Sequence, residues 1–159
     1  MEQAVWIPRE RFEEVRGIRG FGAAAAGLWA RGSLEGLARP CVAVVGTRGA
    51  TAYGRHLAVN FARDLGLAGC CIVSGLALGI DACAHEGALE AGAPTVGVIG
   101  GGHRLFFPPR NRPLAQRMLE AGGAVLSPFA PDEPARPFQF LARNGIVAAL
   151  ADAVVVIEA

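Results

Sequence analysis

The sequence predicts an α/β protein: a doubly wound, mainly parallel sheet with helices on both faces. Three observations carry this. Five short segments, CVAVVG (41–46), CCIVSG (70–75), TVGVIG (95–100), AVLSPF (124–129) and AVVVIEA (153–159), are apolar without alternation, as strands buried on both faces are. Helix-length stretches separate them, and strand–helix alternation with doubly buried strands is the pattern of a parallel sheet. Glycines mark three strand ends: GTRGATAYG (46–54), SGLALGID (74–81) and GGGHRLFFPPRN (100–111). Together these describe a Rossmann-like core.

Each element has its own warrant. Residues 1–40 read as an N-terminal appendage, because acids and bases mix up to Arg19 and a small-residue stretch then runs to Pro40. The Rossmann-like domain is expected over 41–159. A first helix is predicted from about Ala52, where Leu57, Phe61 and Leu65 repeat every four residues with Ala58 and Ala62 beside them. Gly79–Ala91 is the second helix. NRPLAQRMLEAG (111–122) is the third, stopped by Gly122. SPFAPDEPARPFQF (127–140) is too long for a plain connector. A last helix is predicted over Leu141–Leu150.

A length of 159 residues suits one domain, and 52% hydrophobic against 18% charged residues indicates a packed globule. All fifteen basic residues are arginine. This excludes Schiff-base chemistry and a Walker A lysine while leaving bidentate phosphate contacts available. The net charge is +1, so a nucleic-acid surface must be a local patch. Cys41, Cys70, Cys71 and Cys83 form no C-x-x-C pair and sit in apolar contexts, as reduced core cysteines of a cytoplasmic protein do; no metal site is expected. The N-terminus lacks the apolar stretch of a signal peptide, and no apolar run reaches membrane length.

In sheets of this kind ligands sit beyond the strand C-termini. A dinucleotide is disfavoured on two counts. The first turn has no G-x-G-x-x-G, and the second strand ends in Ser74 where a ribose-binding acid belongs. No cofactor is therefore expected. Arg48, in that first turn, reads either as a solvated loop arginine or as a phosphate partner. Two windows, Gly36–Arg63 and Arg104–Leu119, each hold four arginines and no acid, which favours an anion at the rim. Asp81 falls in the first turn of a helix, where a carboxylate suits the dipole, and His85 follows at i+4 on the same side. With no nucleophile or metal cluster beside them, they read as a structural Asp–His hydrogen bond that sets the loop. Acid–base machinery is the alternative, and no catalytic residue is assigned.

The segments VAVVGTRGATAYGR, VSGLALGIDACAHEGAL, FFPPRN, LSPF and FLARNGIVAALADAVVVIEA follow one another as in the DNA-processing protein A family (DprA/Smf), which this chain resembles from about Leu28 to Ala159. The resemblance implies a Rossmann-like domain that binds single-stranded DNA at the strand ends and helps load the RecA recombinase in natural transformation and recombination. It implies that Gly46, Thr47 and Arg48 cradle and pair a DNA phosphate. Ser74 and Gly75 would add close backbone approach, and Arg110-Asn111 and Arg143-Asn144 would lie near the pocket. Phe106, Phe107 and Phe140 could offer a stacking face, with core packing as the alternative for at least two of them.

The match departs in places. Leu78, Ala142 and Gly145 stand where the family commonly carries basic residues, which removes cations that would strengthen phosphate binding. The chain stops after its fifth predicted strand, where the family continues into a further unit and a region used for dimerisation, so a homodimer is an expectation carried by resemblance alone. The rival is a nucleotide-binding or phosphoribohydrolase-like protein. Its P-G-G-x-G-T-x-x-E signature is missing: GVIGGGHRLFF lacks both Gly-Thr and the glutamate. A third option is a nucleotide or interaction module that has lost DNA binding.

Overall fold

In the computed structural model, which describes residues 3–17, 21 and 26–159, the chain runs as follows. Strand β1 (Val5–Pro8), helix α1 (Arg9–Arg16) and strand β2 (Gly27–Gly32) precede β3 (Cys41–Gly46) and α2 (Ala52–Leu67). Then come β4 (Cys71–Ser74), α3 (Ile80–Glu90), β5 (Thr95–Val98), α4 (Arg112–Glu120), β6 (Ala124–Ser127), α5 (Gln139–Leu150) and β7 (Ala153–Ile157). The described strands form one sheet in the order β1-β2-β6-β5-β4-β3-β7. β3 to β7 are parallel, as the unbroken apolar runs predict.

The expected appendage is instead built into the sheet. β1 pairs antiparallel with β2, and β2 antiparallel with β6, so two strands extend the parallel sheet at one edge. Trp6 and Trp29 meet edge-on across that pair at 5.5 Å, and Phe12 of α1 is fully buried beneath it. The segments escape sequence recognition because each is short and flanked by charges or small residues. Residues 1–2, 18–20 and 22–25 of the expected appendage lie outside the described residues.

The two faces of the sheet carry different helices. Val42, Val44 and Ile72 pack under α2 and α3, and Val125 under α4, while Ala43, Val73, Val98 and Leu126 pack against α1 and α5. On α2 the predicted face is rotated: Ala58 and Ala62 are buried as expected and Leu57 and Leu65 pack half-buried beside them, but Phe61 is turned outward. Gly54, Ala58, Ala62 and Gly66 face inward, and Phe61 is 46% exposed. Close approach of α3 explains the shift: a Cβ at Gly87 would sit 2.9 Å from that of Ala62, so only small residues fit between the helices. Among the described residues no helix is long and apolar enough to cross a membrane.

Candidate functional site

The C-terminal ends of β3, β4 and β7, with the N-terminal half of α5, enclose a crevice of about 430 Å³. Gly46, Thr47, Arg48, Gly75, Asp81, Arg143 and Asn144 line it, so seven of the residues singled out by sequence converge here. Beside it, a smaller apolar recess of about 90 Å³ shares Arg48, Gly75 and Arg143 and adds Leu78, Phe107 and Phe140.

The turn that carries Arg48 is fixed from three sides. Thr47 N–H donates to Glu158 O at 2.8 Å, its Oγ1 accepts from Gly49 N–H at 3.3 Å, and its carbonyl accepts from Ile80 N–H at 3.2 Å. Gly79, at φ +84°, crosses directly beneath, and a Cβ there would lie 2.5 Å from Arg48 O. That position needs glycine both for its left-handed backbone and for this approach. Thus the second turn of the GLALGID motif braces the first. Arg48 itself is exposed and forms no ion pair among the described residues. Its guanidinium lies over the Phe140 ring, 4.9 Å from the centroid.

Arg143 is the buried counterpart. Only 4% exposed, it donates to the carbonyls of Gly75 and Val98 (3.0 Å for the latter) and from Nε to Asn144 Oδ1 at 3.0 Å. It also faces Phe140, at 5.3 Å. Burial weighs most against its charge, Asp81 supports the charge, and Arg48 opposes it. Asp81 accepts from Gly75 N–H at 3.0 Å. Burial pushes its carboxyl above the usual range, with Arg143 pulling the other way. Gly75 has no side chain because a Cβ would strike Asp81 Oδ2 and Arg143 at 2.6–2.7 Å. The result is two guanidinia converging on one aromatic ring, one anchored and one free, with a single carboxylate below them.

Several expectations are corrected. His85 does not bond Asp81. It is fully buried, with Nδ1 2.7 Å from Thr95 Oγ1, and the Thr95 hydroxyl donates its hydrogen bond to Ile72 O at 2.9 Å. His85 therefore carries its proton on Nδ1, and burial lowers its pKa to about 3. Positions i and i+4 share a helix face but differ by a full turn in height. Asp81 consequently reaches the strand end, and His85 the middle of the sheet. Ser74 is buried and donates to Val44 O at 2.7 Å. Asn111 is buried too, its Nδ2 donating to Leu76 O at 2.8 Å, which pins Leu76 at φ 55°. Both are braces and line neither recess. Arg110 is exposed and also outside the lining. Of the three phenylalanines, Phe106 is core, while Phe107 and Phe140 face the recess 6.0 Å apart.

One residue escaped the sequence altogether. Glu158, just past β7, places its carboxylate on the N-terminus of α2, accepting from Thr51 N–H at 2.9 Å and from the Thr51 hydroxyl. Those bonds hold its carboxyl below the usual range. A Cβ at Gly54 would strike it. In a dinucleotide-binding sheet this helix end would receive the pyrophosphate. Here the protein's own acid occupies it, and Arg48 and Arg143 are the cations that line the crevice.

The family described as DNA recombination-mediator protein A matches residues 13–159. The chain belongs to that family. Among its relatives, the putative DNA processing protein DprA of Mycobacterium tuberculosis is 43% identical over 135 residues, covering 83% of this chain and 34% of that protein. Protein Smf of Escherichia coli is 39% identical over 132 residues, covering 83% and 35%. The chain thus spans about a third of the length of these DprA/Smf relatives. Two solved DprA structures resemble it closely. The Streptococcus pneumoniae protein gives a TM-score of 0.75 at 40% identity, over 84% of this chain and 46% of that one. The Helicobacter pylori protein, solved to describe its single-stranded DNA binding mode, gives 0.81 at 30% identity, over 97% and 68%.

Proposed function

We propose that this chain binds single-stranded DNA, holding a backbone phosphate between Arg48 and Arg143 at the rim of its sheet. One observation carries it: two guanidinia face the one Phe140 ring, and among the described residues no acid pairs the outer one. Arg48 opposes the charge of Arg143, an anion placed between them would relieve that repulsion, and Arg48 is exposed and able to make two parallel bonds to one phosphate. Phe107 and Phe140 add exposed ring area next to that phosphate, which suits an unpaired base and is unavailable to a stacked duplex. Family membership supports the same substrate, since the H. pylori relative is described for its single-stranded DNA binding mode.

The site is a binding site in this account, not a catalytic one. Among the described residues Asp81 is the one acidic side chain in its lining and it braces Gly75, while the nearby His85 lines neither recess and bonds Thr95. A nucleotide-processing role is disfavoured by Glu158, which fills the helix end that a nucleotide phosphate would use. Within the cell the proposal extends to DNA processing in natural transformation and to delivery of the strand to the RecA recombinase, with self-association into a homodimer. The family's description as a recombination mediator supports the recombination part of this extension. The test is binding of fluorescent oligo-dT against duplex of equal length and free mononucleotide. Single strands should bind best, weakening with salt at a log–log slope of roughly −0.7 per phosphate neutralised. Equal affinity for duplex, or preference for the mononucleotide, would overturn it.

A further inference from the structure

The loop from Gly100 to Asn111 divides the rim. It turns Phe107 toward the recess beside Arg48 and Phe106 the other way, into a second cleft of about 490 Å³. Arg31 of β2, His103 and Arg104 of the loop, and Arg112 and Gln116 of α4 wall this cleft, and among the described residues no carboxylate lines it. Arg104 is engaged by Asp132 at 2.6 Å, whereas Arg31 and Arg112 make no ion pair among the described residues. The cleft shares no lining residue with the crevice at Arg48.

Its wall also holds two polar atoms that have no partner among the described residues. His103 is 7% exposed, and its Nε2 bonds Trp29 O at 3.0 Å. That contact puts the proton on Nε2 and leaves Nδ1 a bare acceptor, with no partner. Burial lowers the basicity of the ring, the Trp29 bond works against that, and Arg31 adds to it. Arg31 Nε is a buried donor, likewise without a partner. Orphans of this kind are uncommon, and a donor and an acceptor orphaned in one wall ask for a ligand that can both accept and donate. As the side chains stand, both atoms are buried. Arg31 is only half-buried and makes no side-chain hydrogen bond among the described residues, so turning it toward a ligand breaks none.

A phosphate monoester meets these terms. Its anionic oxygens accept from the guanidinia of Arg31 and Arg112, and in its singly protonated form its P–OH donates to Nδ1 of neutral His103. A phosphodiester has no hydroxyl to offer. We propose that the Arg31–His103–Arg112 cleft binds a terminal phosphate monoester, the end of a nucleic-acid strand or a free mononucleotide. The site is separate from the single-strand crevice and stands whether or not that crevice binds DNA.

The test follows the His103 ring nitrogens by NMR in the ¹⁵N-labelled chain during addition of inorganic phosphate, which keeps a P–OH at neutral pH, with ionic strength held constant by chloride. A saturable shift of Nδ1 is expected with phosphate and not with chloride. Removing a charge-assisted contact in Arg31→Ala or Arg112→Ala should weaken it about tenfold, whereas Arg48→Ala should leave it unchanged. Arg112 is exposed at the start of α4, so its variant tests the site without disturbing the core. Thymidine monophosphate and an oligo-dT with and without a 5′-phosphate then identify the source. Tighter binding of the phosphorylated oligonucleotide assigns a strand end, and tighter binding of the mononucleotide assigns the free ligand. The proposal fails if phosphate moves His103 no more than chloride does, or if both arginine variants respond as the wild type.

Discussion

Arg48 and Arg143 line the same crevice, one exposed and one buried, and a single substitution separates what they do. Arg143→Met keeps length and removes the guanidinium that ties Gly75 O, Val98 O and Asn144 together beside Asp81. Two carbonyls lose a donor, and a buried carboxylate loses the cation that supports it. Removing one partner from a buried charged network costs about 3–5 kcal/mol. In a chain of this size each kcal/mol lowers the melting temperature by about 2–4 °C, so a fall of about 10 °C is expected at neutral pH. Part of the loss should return in the double variant Arg143→Met/Asp81→Asn, because asparagine still accepts from Gly75 N–H and carries no charge to strand. Thermal unfolding followed by circular dichroism reads all three proteins. A shift under about 2 °C in the single variant would mean that the guanidinium is not the brace described here.

Other outcomes follow from the same geometry. Leu78 is 38% exposed and lines the recess with Arg48 and Phe140, so Leu78→Arg should strengthen oligo-dT binding and steepen its salt slope by roughly 0.7. A lower melting temperature with unchanged binding would contradict that placement. Gly79→Ala forces a side chain into a left-handed residue against Arg48 O; both melting temperature and oligonucleotide affinity should drop, and unchanged affinity would separate the brace from the site. His85 has a folded pKa near 3, below its ordinary 6.5, so its contribution to stability is complete above pH 6.5 and is lost as pH falls toward 3. Denaturant unfolding between pH 6 and 4 should show about 1.4 kcal/mol per pH unit from this one proton, absent in His85→Asn. Equal slopes in the two proteins would place the imidazole in water.

Much of the fold is visible in the sequence because the parallel strands are buried on both faces and show it as unbroken apolar runs. β1 and β2 are not visible, since a four-residue edge strand and a strand with Arg31 in it carry no such run. On α2 Ala58 and Ala62 were legible but Gly54 and Gly66 were not, because tight helix contact selects glycine and alanine while hydrophobicity alone points to Phe61. At the site, Arg48 and its glycine turn were legible because a guanidinium in a strand-end turn has few structural uses. Ser74, Asn111 and His85 were not, because their partners Val44, Leu76 and Thr95 come from other strands and loops. Glu158 lies 107 residues from Thr51 in the chain, and only the parallel pairing of β3 with β7 brings them together.

The most direct measurement is fluorescence anisotropy of a labelled oligo-dT titrated with wild type, Arg48→Ala, Arg48→Lys and Arg11→Ala at two salt concentrations, with melting curves alongside. Arg11 is exposed on α1, paired with Glu14 and far from the crevice in the fold, and serves as the control. Charge-assisted hydrogen bonds contribute about 1.5–3 kcal/mol, so Arg48→Ala should bind at least roughly tenfold more weakly with a shallower salt slope. Its melting temperature should stay at the wild-type value, because Arg48 braces nothing. Arg48→Lys should recover only part of the affinity, since an ammonium cannot form the paired contact. If Arg48→Ala binds single strands as tightly as wild type and Arg11→Ala do, the phosphate is not held between Arg48 and Arg143.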